Sequence, residues 1–364
     1  MRIEALSLVN FRNYARLDLH FSPSLNIIYG NNGLGKTNII EAIYYLSLTK
    51  SYRVNNEKFL VKKNENNMIV KGKIYRRDMI SYQEIDICKG ERVVKINDNT
   101  NTLIGDYITR FVVIMFNPRD TRLIDDAPAE RRKMLNMEIS KIHKDYLLFL
   151  TNYNKILKQR NFYIRSMYIN GNRTNDFLEI LTKKLVEYGL YIAKMREEFI
   201  NSINQVIGDV YQSIFGSGKL QVKYASIYKN KSKDELLKKY QTSFQKELEI
   251  GKTLFGIHHD DLVFMLDNEV LKDFGSEGQR KNAVLSFKMA EVKIIKEIKG
   301  EYPVLILDDL FSELDKDKAG NLVKMLDFGV QTFITTTDLK KIKKKLLSNA
   351  KKFEVLEDHI KEEI

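Results

Sequence analysis

The sequence predicts an α/β protein in which a doubly wound mixed sheet carries a glycine-rich loop and an α-helical second lobe is inserted into the chain. Three observations lead to this fold class. The glycine-rich loop 30–37 lies between a strand pattern and a helix pattern, a proline-free helical stretch fills the middle of the chain, and strands return from residue 262. Strands that alternate with helices around such a loop are typical of doubly wound sheets.

The N-terminal third predicts mainly strands. Apolar and polar residues alternate over 2–29 in three segments, the last of which leads directly into the loop. The apolar segment 39–46 then predicts a helix. Residues 68–115 return to a strand pattern, with a polar break at 97–101 that resembles a hairpin turn.

The middle of the chain predicts long helices. From about residue 129 to 246 apolar residues recur at spacings of three and four, and no proline occurs between Pro128 and Pro303. Breaks are expected at 170–172 and near 216–218. A helix of this length reaches about 50 Å at most, which indicates a lobe with a short coiled-coil-like insertion, and no long coiled-coil arm.

The pattern places 1–116 and 252–364 in the sheet-containing lobe and 117–251 in the helical lobe. A helix is predicted at about 277–298 and a strand at 304–307. A last strand at 332–335 is expected to precede a basic helix, whose charge comes from Lys340, Lys341, Lys343, Lys344 and Lys345.

Composition indicates a soluble intracellular protein with a polyanionic partner. The 364 residues carry a net charge of +12, which favours nucleic acid through attraction to phosphates, although solvated surface lysine explains it equally well. One cysteine, Cys88, excludes an internal disulfide and fits a reducing cytoplasm. No signal-peptide core and no apolar segment that could span a bilayer stand out, so no membrane association is expected.

The glycine-rich loop matches the P-loop pattern G-x-x-x-x-G-K-[ST] between a strand and a helix. Its backbone N–H groups and the helix N-terminus favour phosphate, Lys36 bridges the β- and γ-phosphates, and the Thr37 hydroxyl ligates Mg²⁺. We therefore predict an ATP-type ligand with Mg²⁺. The predicted binding residues are Gly30, Asn31, Asn32, Gly33, Leu34, Gly35, Lys36 and Thr37.

Two further segments complete a nucleotide site. Asp308 ends an apolar strand, where a carboxylate holds Mg²⁺, and Asp309 follows, where a second carboxylate orients or deprotonates the attacking water. Asp309 and Lys36 are therefore the candidate catalytic residues. The segment 276–279 opens a helix whose N-terminus can grip a γ-phosphate through Ser276, Gly278 and Gln279. The simpler interpretation of each segment is a helix cap.

The chain resembles the RecF family, bacterial DNA-repair and replication factors of the ABC-type ATPase superfamily that includes SMC-like heads. The resemblance covers essentially the whole length. It depends on residues 10–14, the P-loop, 116–120, Pro128 with Arg131 and Arg132, 159–161, 256–261, 276–280, 307–309, 312–315 and 331–337.

The resemblance implies an ABC-type ATPase head in which two copies sandwich ATP. Ser276 and Gly278 of one copy then face the γ-phosphate held by Lys36 of the other, with Ser312–Asp315 at the dimer seam. It also implies binding to double-stranded and gapped DNA, cooperation with RecR and RecO in loading recombinase, and a cytoplasmic, nucleoid-associated location.

Three departures from related ATPases predict slow hydrolysis that acts as a timer, hence a weak DNA-stimulated ATPase used as a switch. Asp309 stands where relatives outside RecF usually carry the longer Glu. Thr337 stands where many carry a switch histidine, and Asn117 occupies the position of a glutamine.

The remaining motifs leave alternatives open. Residues 258–261 resemble a metal cluster, but neighbours on a strand point to opposite faces, which disfavours metal binding. Residues 159–161 fit a solvated helical face, with contact to DNA or to the second head as the minor alternative. One of two basic faces is expected to follow duplex phosphates, and the sequence does not choose between them. The first is the C-terminal lysine cluster, and the second is formed by Lys229, Lys231, Lys233, Lys238 and Lys239.

The leading hypothesis is an ATP-dependent DNA clamp. The alternative is an ABC-type ATPase of an OLD-like or defence system that acts mainly on a protein partner. A transporter subunit is disfavoured, because the helical lobe lacks an evident motif for coupling to a membrane partner.

Overall fold

A computed structural model describes residues 1–170, 176–312, 314–325, 329–339, 342, 347–357 and 359–363. These residues form two compact units. Unit 1 comprises Met1–Thr121, Val206–Lys219 and Glu277–Ile364, and unit 2 comprises Arg122–Gln205 and Leu220–Ser276. The boundaries between the units, at 121/122 and 276/277, therefore lie later in the chain than the predicted boundaries at 117 and 252. Unit 1 also includes the short segment Val206–Lys219 from the middle of the chain.

The strands in chain order are β1 (Arg2–Phe11), β2 (Tyr14–His20), β3 (Leu25–Tyr29), β4 (Asn67–Arg76), β5 (Met79–Cys88), β6 (Glu91–Ile96), β7 (Val113–Phe116), β8 (Leu220–Ala225), β9 (Asp261–Leu266), β10 (Glu269–Val270), β11 (Val304–Asp308), β12 (Thr332–Thr336), β13 (Ala350–Val355) and β14 (Ile360–Glu363). The helices are α1 (Lys36–Leu48), α2 (Ile104–Arg110), α3 (Pro128–Ile142), α4 (Lys144–Asn170), α5 (Asp176–Phe215), α6 (Lys233–Ile250), α7 (Leu271–Phe274), α8 (Glu277–Lys299) and α9 (Lys316–Met325).

A six-stranded sheet in the order β14-β13-β3-β12-β11-β7 forms the core of unit 1. All neighbours are parallel except β14, which runs antiparallel to β13 at one edge. Strands β3, β11 and β12 are almost entirely buried, as expected for parallel strands covered on both faces. Their carboxyl ends lie at one edge of the sheet, so the segments that follow β3 and β11 meet there.

An antiparallel sheet, β2-β1-β4-β5-β6, lies on the other side of helix α1. Helix α1 contacts β1, β4 and β5 of this sheet and β7, β11 and β12 of the parallel sheet. Both sides of the helix are consequently buried, which explains why the segment 39–46 is apolar on both sides apart from the buried Glu41. The P-loop helix is thus fixed between two sheets.

Unit 2 is mainly helical. Helix α3 contacts α4 and β9, and α4 contacts α6. A three-stranded antiparallel sheet, β10-β9-β8, completes the unit. Helix α5 has 40 residues and starts in unit 2. At 1.5 Å per residue it is about 60 Å long, so the expected upper limit of about 50 Å was too low.

The mixed α/β fold class agrees with the prediction, but three local predictions were wrong. The polar break at 97–101 leads into helix α2 instead of a second hairpin strand. The stretch 129–246 contains strand β8, whose inward residues Leu220, Val222 and Tyr224 alternate with period two. Strand β12 is not the last, because β13 and β14 extend the sheet beyond it.

Two predictions concern residues outside the described part of the chain. The predicted break at 170–172 falls where α4 ends at Asn170, and residues 171 and 172 are not described. The five lysines of the predicted C-terminal basic helix, 340–345, also lie outside the described residues. Within the described ranges, none of the helices combines the length and the apolarity needed to cross a membrane.

Candidate nucleotide site

The P-loop connects β3 to α1 in a conformation that glycine makes possible. Gly30 has φ 141°, and a Cβ there would lie 2.5 Å from the carbonyl oxygen of Val355 on β13. Gly35 has φ 109°, and its Cβ would meet the Tyr14 hydroxyl at 2.7 Å. Side chains at these two positions would push the loop off the sheet edge, so glycine holds the backbone close to its supports.

The Lys36 ammonium lies inside the loop. Nζ donates to the carbonyl oxygens of Gly30 and Asn31, both at 2.7 Å, and the residue is 8% exposed. Burial lowers the pKa of Lys36, while Asp309 and Asp308 nearby oppose the shift. Because both acceptors are neutral carbonyls, an anionic phosphate is a stronger acceptor for the same N–H groups.

Asp308 and Asp309 are positioned by Thr335 on the adjacent strand β12. Asp308 pairs with Thr335 in the strand register. The Thr335 hydroxyl donates to Asp308 Oδ1 at 2.6 Å and accepts from the Asp309 backbone N–H at 2.9 Å. Asp309 has φ 49°, which turns the chain sharply at the strand end. Burial raises the pKa of Asp308, and the neighbouring Asp309 adds to the increase.

These groups line one pocket of unit 1, with a volume of about 280 Å³. It combines cations and backbone N–H groups, which suit phosphates, with carboxylate and hydroxyl oxygens, which suit a hard cation such as Mg²⁺. The residues therefore fit a nucleoside triphosphate with Mg²⁺. The pocket is lined by Asn32, Gly33, Gly35, Lys36, Thr37, Asn38, Arg53, Asp308, Asp309, Thr335, Thr336 and Thr337.

Arg53 is a site residue that sequence reasoning missed. Its Nη1 donates to Asn38 Oδ1 at 2.8 Å and to Glu41 Oε2 at 3.2 Å. Tyr52 beside it lies 3.5 Å from Asp308 Oδ2, and burial raises the pKa of Tyr52 far above its usual value. The chain returns to the pocket only after the whole of α1, so no local pattern around Arg53 indicates its position.

The predicted γ-phosphate residues of the second segment lie elsewhere. Ser276, Gly278 and Gln279 are exposed at the start of α8, and none of them belongs to the pocket lining. Of the other P-loop residues, Gly30 and Asn31 accept from Lys36, and the Leu34 carbonyl accepts from Asn13 at 3.4 Å.

The residues that depart from related ATPases are placed as follows. Thr337 lines the pocket, as its position after β12 requires. Asn117 is buried at the end of β7, and its N–H donates to Asp120. Asp315 accepts from the Lys318 N–H at 2.9 Å at the start of α9, whereas Glu313 lies outside the described residues.

Gln159 is exposed, but Arg160 and Asn161 bind groups inside unit 2, which corrects the prediction of a solvated face over 159–161. Arg160 is 1% exposed and binds Glu247 at 2.6 Å, Thr253 at 2.7 Å and Thr182 at 3.0 Å. Asn161 Oδ1 accepts from the backbone N–H and the hydroxyl of Thr253. This motif therefore ties α4 to α5 and α6 inside unit 2.

Residues 258–261 also serve the interior of unit 2. Asp260 is 2% exposed and accepts from Arg196 at 2.7 Å and from Tyr224. Asp261 accepts two hydrogen bonds from Arg131, at 2.7 and 2.9 Å. Both carboxylates are thus engaged by guanidinium groups, which explains why two acidic residues are tolerated next to each other.

The lysine cluster of unit 2 is largely neutralised. Lys229 binds Glu197 at 3.1 Å, Lys231 binds Glu235 at 2.8 Å, and Lys233 binds Glu187 at 2.6 Å. Lys239 lies 4.6 Å from the centre of the Phe255 ring. These acidic partners weaken the cluster as a candidate surface for DNA phosphates.

Comparison with known proteins decides the family. A family model described as RecF/RecN/SMC N terminal domain matches residues 2–356. The DNA replication and repair protein RecF of Clostridium perfringens strain 13 is 35% identical, with 99% of each chain covered, and that of Halalkalibacterium halodurans is 36% identical with the same coverage. The chain belongs to the RecF family. The resemblance inferred from the motifs is thereby confirmed.

Solved structures agree with this membership. The recombination mediator protein RecF with ATP, of the RecFOR pathway, has a TM-score of 0.90 at 30% identity, and covers 100% of this chain and 97% of that chain. A RecF-ATPrS structure also has a TM-score of 0.90, at 29% identity. An SMC head bound to ScpA has a TM-score of 0.57 at 14% identity, which shows the shared fold alone. The predicted ABC-type ATPase fold is confirmed.

Proposed function

We propose that this chain is an ATP-dependent DNA-binding protein of replication restart and recombinational repair. The observation that carries the proposal is the pocket of unit 1 that brings Lys36 and Thr37 together with Asp308 and Asp309. Nearly full-length relatives named DNA replication and repair protein RecF favour DNA over the alternative, an ATPase of a defence system that acts on a protein partner.

Lys36 would bind the phosphates of ATP by passing its N–H groups from the loop carbonyls to phosphate oxygens. Thr37 and Asp308 would hold Mg²⁺, which, when bound, neutralises phosphate charge as a Lewis acid. Arg53 would add a second cation at the pocket. Asp309 would orient the attacking water or accept its proton, because its carboxylate lies in the same pocket as Asp308.

A second copy of the chain would complete the site. Ser276, Gly278 and Gln279 are exposed and outside the pocket lining, which is what a contribution from the opposite subunit requires. A helix of 23 residues starts beside them, so its N-terminus would face the γ-phosphate. In the same arrangement Ser312–Asp315 would lie at the seam of an ATP-dependent homodimer.

Hydrolysis would be slow and would reopen the dimer. Asp309 is one methylene shorter than the glutamate of related ATPases, and Thr337 has no group that titrates near neutral pH. We expect a weak ATPase that DNA stimulates and that acts as a switch. A turnover number of hundreds per second, at the high end for ordinary enzymes, would contradict the timer role.

The DNA partner would be duplex near single-strand/double-strand gap junctions. Family membership supports cooperation with RecR and RecO in loading recombinase, and a cytoplasmic, nucleoid-associated location. The net charge of +12 supports contact with phosphates. Binding should weaken steeply as salt concentration rises, since bound phosphates release counterions.

The test is sedimentation and crosslinking of the full-length protein with gapped duplex, with ATP and without it. ATP should raise both the dimer fraction and the affinity for DNA. Lys36→Ala should lose both responses. Lys183→Ala is the matched control, because Lys183 is 57% exposed on α5, pairs with Glu179 and does not line the pocket.

Two outcomes would separate the rival functions. If neither dimerisation nor DNA affinity responds to ATP in the wild type, the clamp is wrong. The other outcome is that ATP drives dimerisation while the affinity for DNA is the same with and without ATP at all salt concentrations. In that case the alternative function, an ATPase that acts on a protein partner, becomes the better explanation.

A further inference from the structure

Glu41 on helix α1 is a fully buried carboxylate with an unusual set of partners. Its exposed fraction is 0%. It accepts from Arg12 Nε at 2.8 Å and Nη2 at 2.6 Å, from the Ser51 hydroxyl at 2.5 Å and from Arg53 Nη1 at 3.2 Å. Two guanidinium groups therefore share one carboxylate, four residues after Thr37 of the P-loop.

The two arginines are held differently. Arg12 binds both carboxylate oxygens and also donates to the Phe59 carbonyl at 2.6 Å, and its side chain is 15% exposed. Arg53 makes one longer contact with Glu41, and its side chain is 34% exposed. A buried carboxylate needs one well-formed cation partner. Arg12 already fulfils this role, so Glu41 can hold Arg53 in place while part of the Arg53 guanidinium stays available to an anionic ligand.

Arg53 is nevertheless aimed at the phosphate pocket. Its second contact is Asn38 Oδ1, and Asn38 Nδ2 in turn donates to Asn13 Oδ1 at 2.7 Å. Asn13 follows Arg12 in the turn between β1 and β2. Glu41, Arg53, Asn38, Asn13 and Arg12 thus form a closed circuit around the first turns of α1, and Arg53 and Asn38 are its members that line the pocket.

We propose that Glu41 is a positioning residue that presents Arg53 to the phosphates of the bound nucleotide, with Arg12 as its permanent counter-ion. This inference rests on the proposed ATP site. In the bound state Arg53 keeps its Nη1 contacts with Glu41 and Asn38 and donates to a phosphate oxygen through its other N–H groups, while Arg12 supplies the main counter-charge for Glu41. Arg12, in the turn between β1 and β2, therefore affects nucleotide binding through Glu41 and does not contact the nucleotide itself.

The backbone around Arg12 and Ser51 supports this division. Arg12 has φ 55°, and its N–H donates to the Leu60 carbonyl at 2.7 Å, which fixes the turn. The Ser51 hydroxyl accepts from the Arg53 N–H at 2.9 Å while it donates to Glu41. Ser51 therefore links the backbone of Arg53 to the Glu41 carboxylate, the same group that the Arg53 side chain contacts.

A double-mutant cycle tests the proposal through the affinity for ATP, measured by titration of the full-length protein. Arg53→Ala should weaken binding about 10-fold, and Glu41→Gln about 5-fold, since a poorly placed guanidinium loses most of its phosphate contact. In the Arg53→Ala background, Glu41→Gln should change the affinity less than about twofold, because it acts through the residue that is missing.

Ser51→Ala is the second variant and disturbs the fold less. It should weaken ATP binding about 3-fold in the wild-type background and not at all beside Arg53→Ala. Equal losses in both backgrounds, or no loss from either variant in the wild type, would overturn the proposal. Wild-type protein that binds no ATP would overturn the proposed function itself, whereas binding with no coupling would remove only the role of Glu41.

Discussion

The charged groups of the nucleotide pocket and those inside unit 2 are held in opposite ways. In unit 2, Arg196 is 1% exposed and binds Asp260, Tyr146, Asn136 and the Ile257 carbonyl, all within 3.0 Å. In the pocket, the Lys36 Nζ donates to the backbone carbonyl oxygens of Gly30 and Asn31. The buried Arg196 is paired with a buried carboxylate and stabilises the fold. The Lys36 ammonium donates to neutral carbonyl oxygens and is therefore available to bind an anionic ligand.

The variant Arg196→Met tests whether the buried charges of unit 2 stabilise the fold. Removing the guanidinium strands the Asp260 carboxylate in the interior, so the free energy of unfolding of unit 2 should fall by about 3–5 kcal/mol. Urea denaturation followed by circular dichroism measures it. Lys194→Met, two residues earlier on the same helix and 75% exposed, should change it by less than about 0.5 kcal/mol. Similar effects from the two variants would contradict the structural role.

The second prediction concerns pH and unit 2. Burial lowers the pKa of His258 to about 4, and His259, Arg132 and Arg160 face it. The unfolded chain therefore takes up a proton where the folded chain does not, so stability falls as pH drops from about 6.5 towards 4. At pH 5 the loss should be about 2 kcal/mol.

His258→Gln should abolish that part of the acid sensitivity, as seen in denaturation curves at pH 7 and pH 5. His20→Gln, at an exposed position on β2, is the control and should keep the wild-type pH profile. A wild-type profile in His258→Gln would show that the histidine is not the titrating group.

The third prediction sharpens the role of Thr335 in the pocket. Thr335→Val removes the hydroxyl that joins Asp308 to the Asp309 N–H, so affinity for ATP with Mg²⁺ should fall about 5- to 10-fold. Affinity for ATP in EDTA should hardly change, and Thr335→Ser should retain wild-type behaviour. Equal losses with and without Mg²⁺ would mean that Thr335 only supports the fold.

The fourth prediction, with the smallest expected effect, concerns Asp308. It distinguishes the contribution of this residue to ligand binding from its contribution to the stability of unit 1. Because burial raises the pKa of Asp308, its ionised form costs stability at neutral pH in the absence of a cation. Asp308→Asn should therefore raise the melting temperature of nucleotide-free protein by about 1–3 °C. The same variant should lose the further increase that ATP with Mg²⁺ gives to wild type. A lower melting temperature without nucleotide would contradict this reasoning.

The two regions also differ in how well the sequence predicts them. The P-loop and Asp308 are found because their chemistry lies within short segments next to a strand end. Arg53 is missed because it meets Glu41 only after the chain folds back past α1. Glu41 is missed because its partner Arg12 lies 29 residues earlier in the chain. Arg160 looks like a surface residue, since its partners Glu247 and Thr253 lie far along the chain.

Strand predictions failed for a similar reason. Strand β8 is short and follows a 40-residue helix, so helical periodicity around it dominates the pattern. Its pairing with β9, some 40 residues later, supplies the hydrogen bonds that make it a strand. Strand β13 likewise depends on pairing with β3, at the other end of the chain, and β14 in turn pairs with β13.

The most direct test measures ATP affinity and melting temperature for one variant from each region. Lys36→Ala should weaken ATP binding about 100-fold, the effect of removing a buried cation from a phosphate, and leave the melting temperature of nucleotide-free protein nearly unchanged. Tyr224→Phe, which loses a contact with buried Asp260, should lower the melting temperature and keep ATP affinity within about twofold. Wild-type ATP affinity in Lys36→Ala, or an equal loss in both variants, would contradict the account.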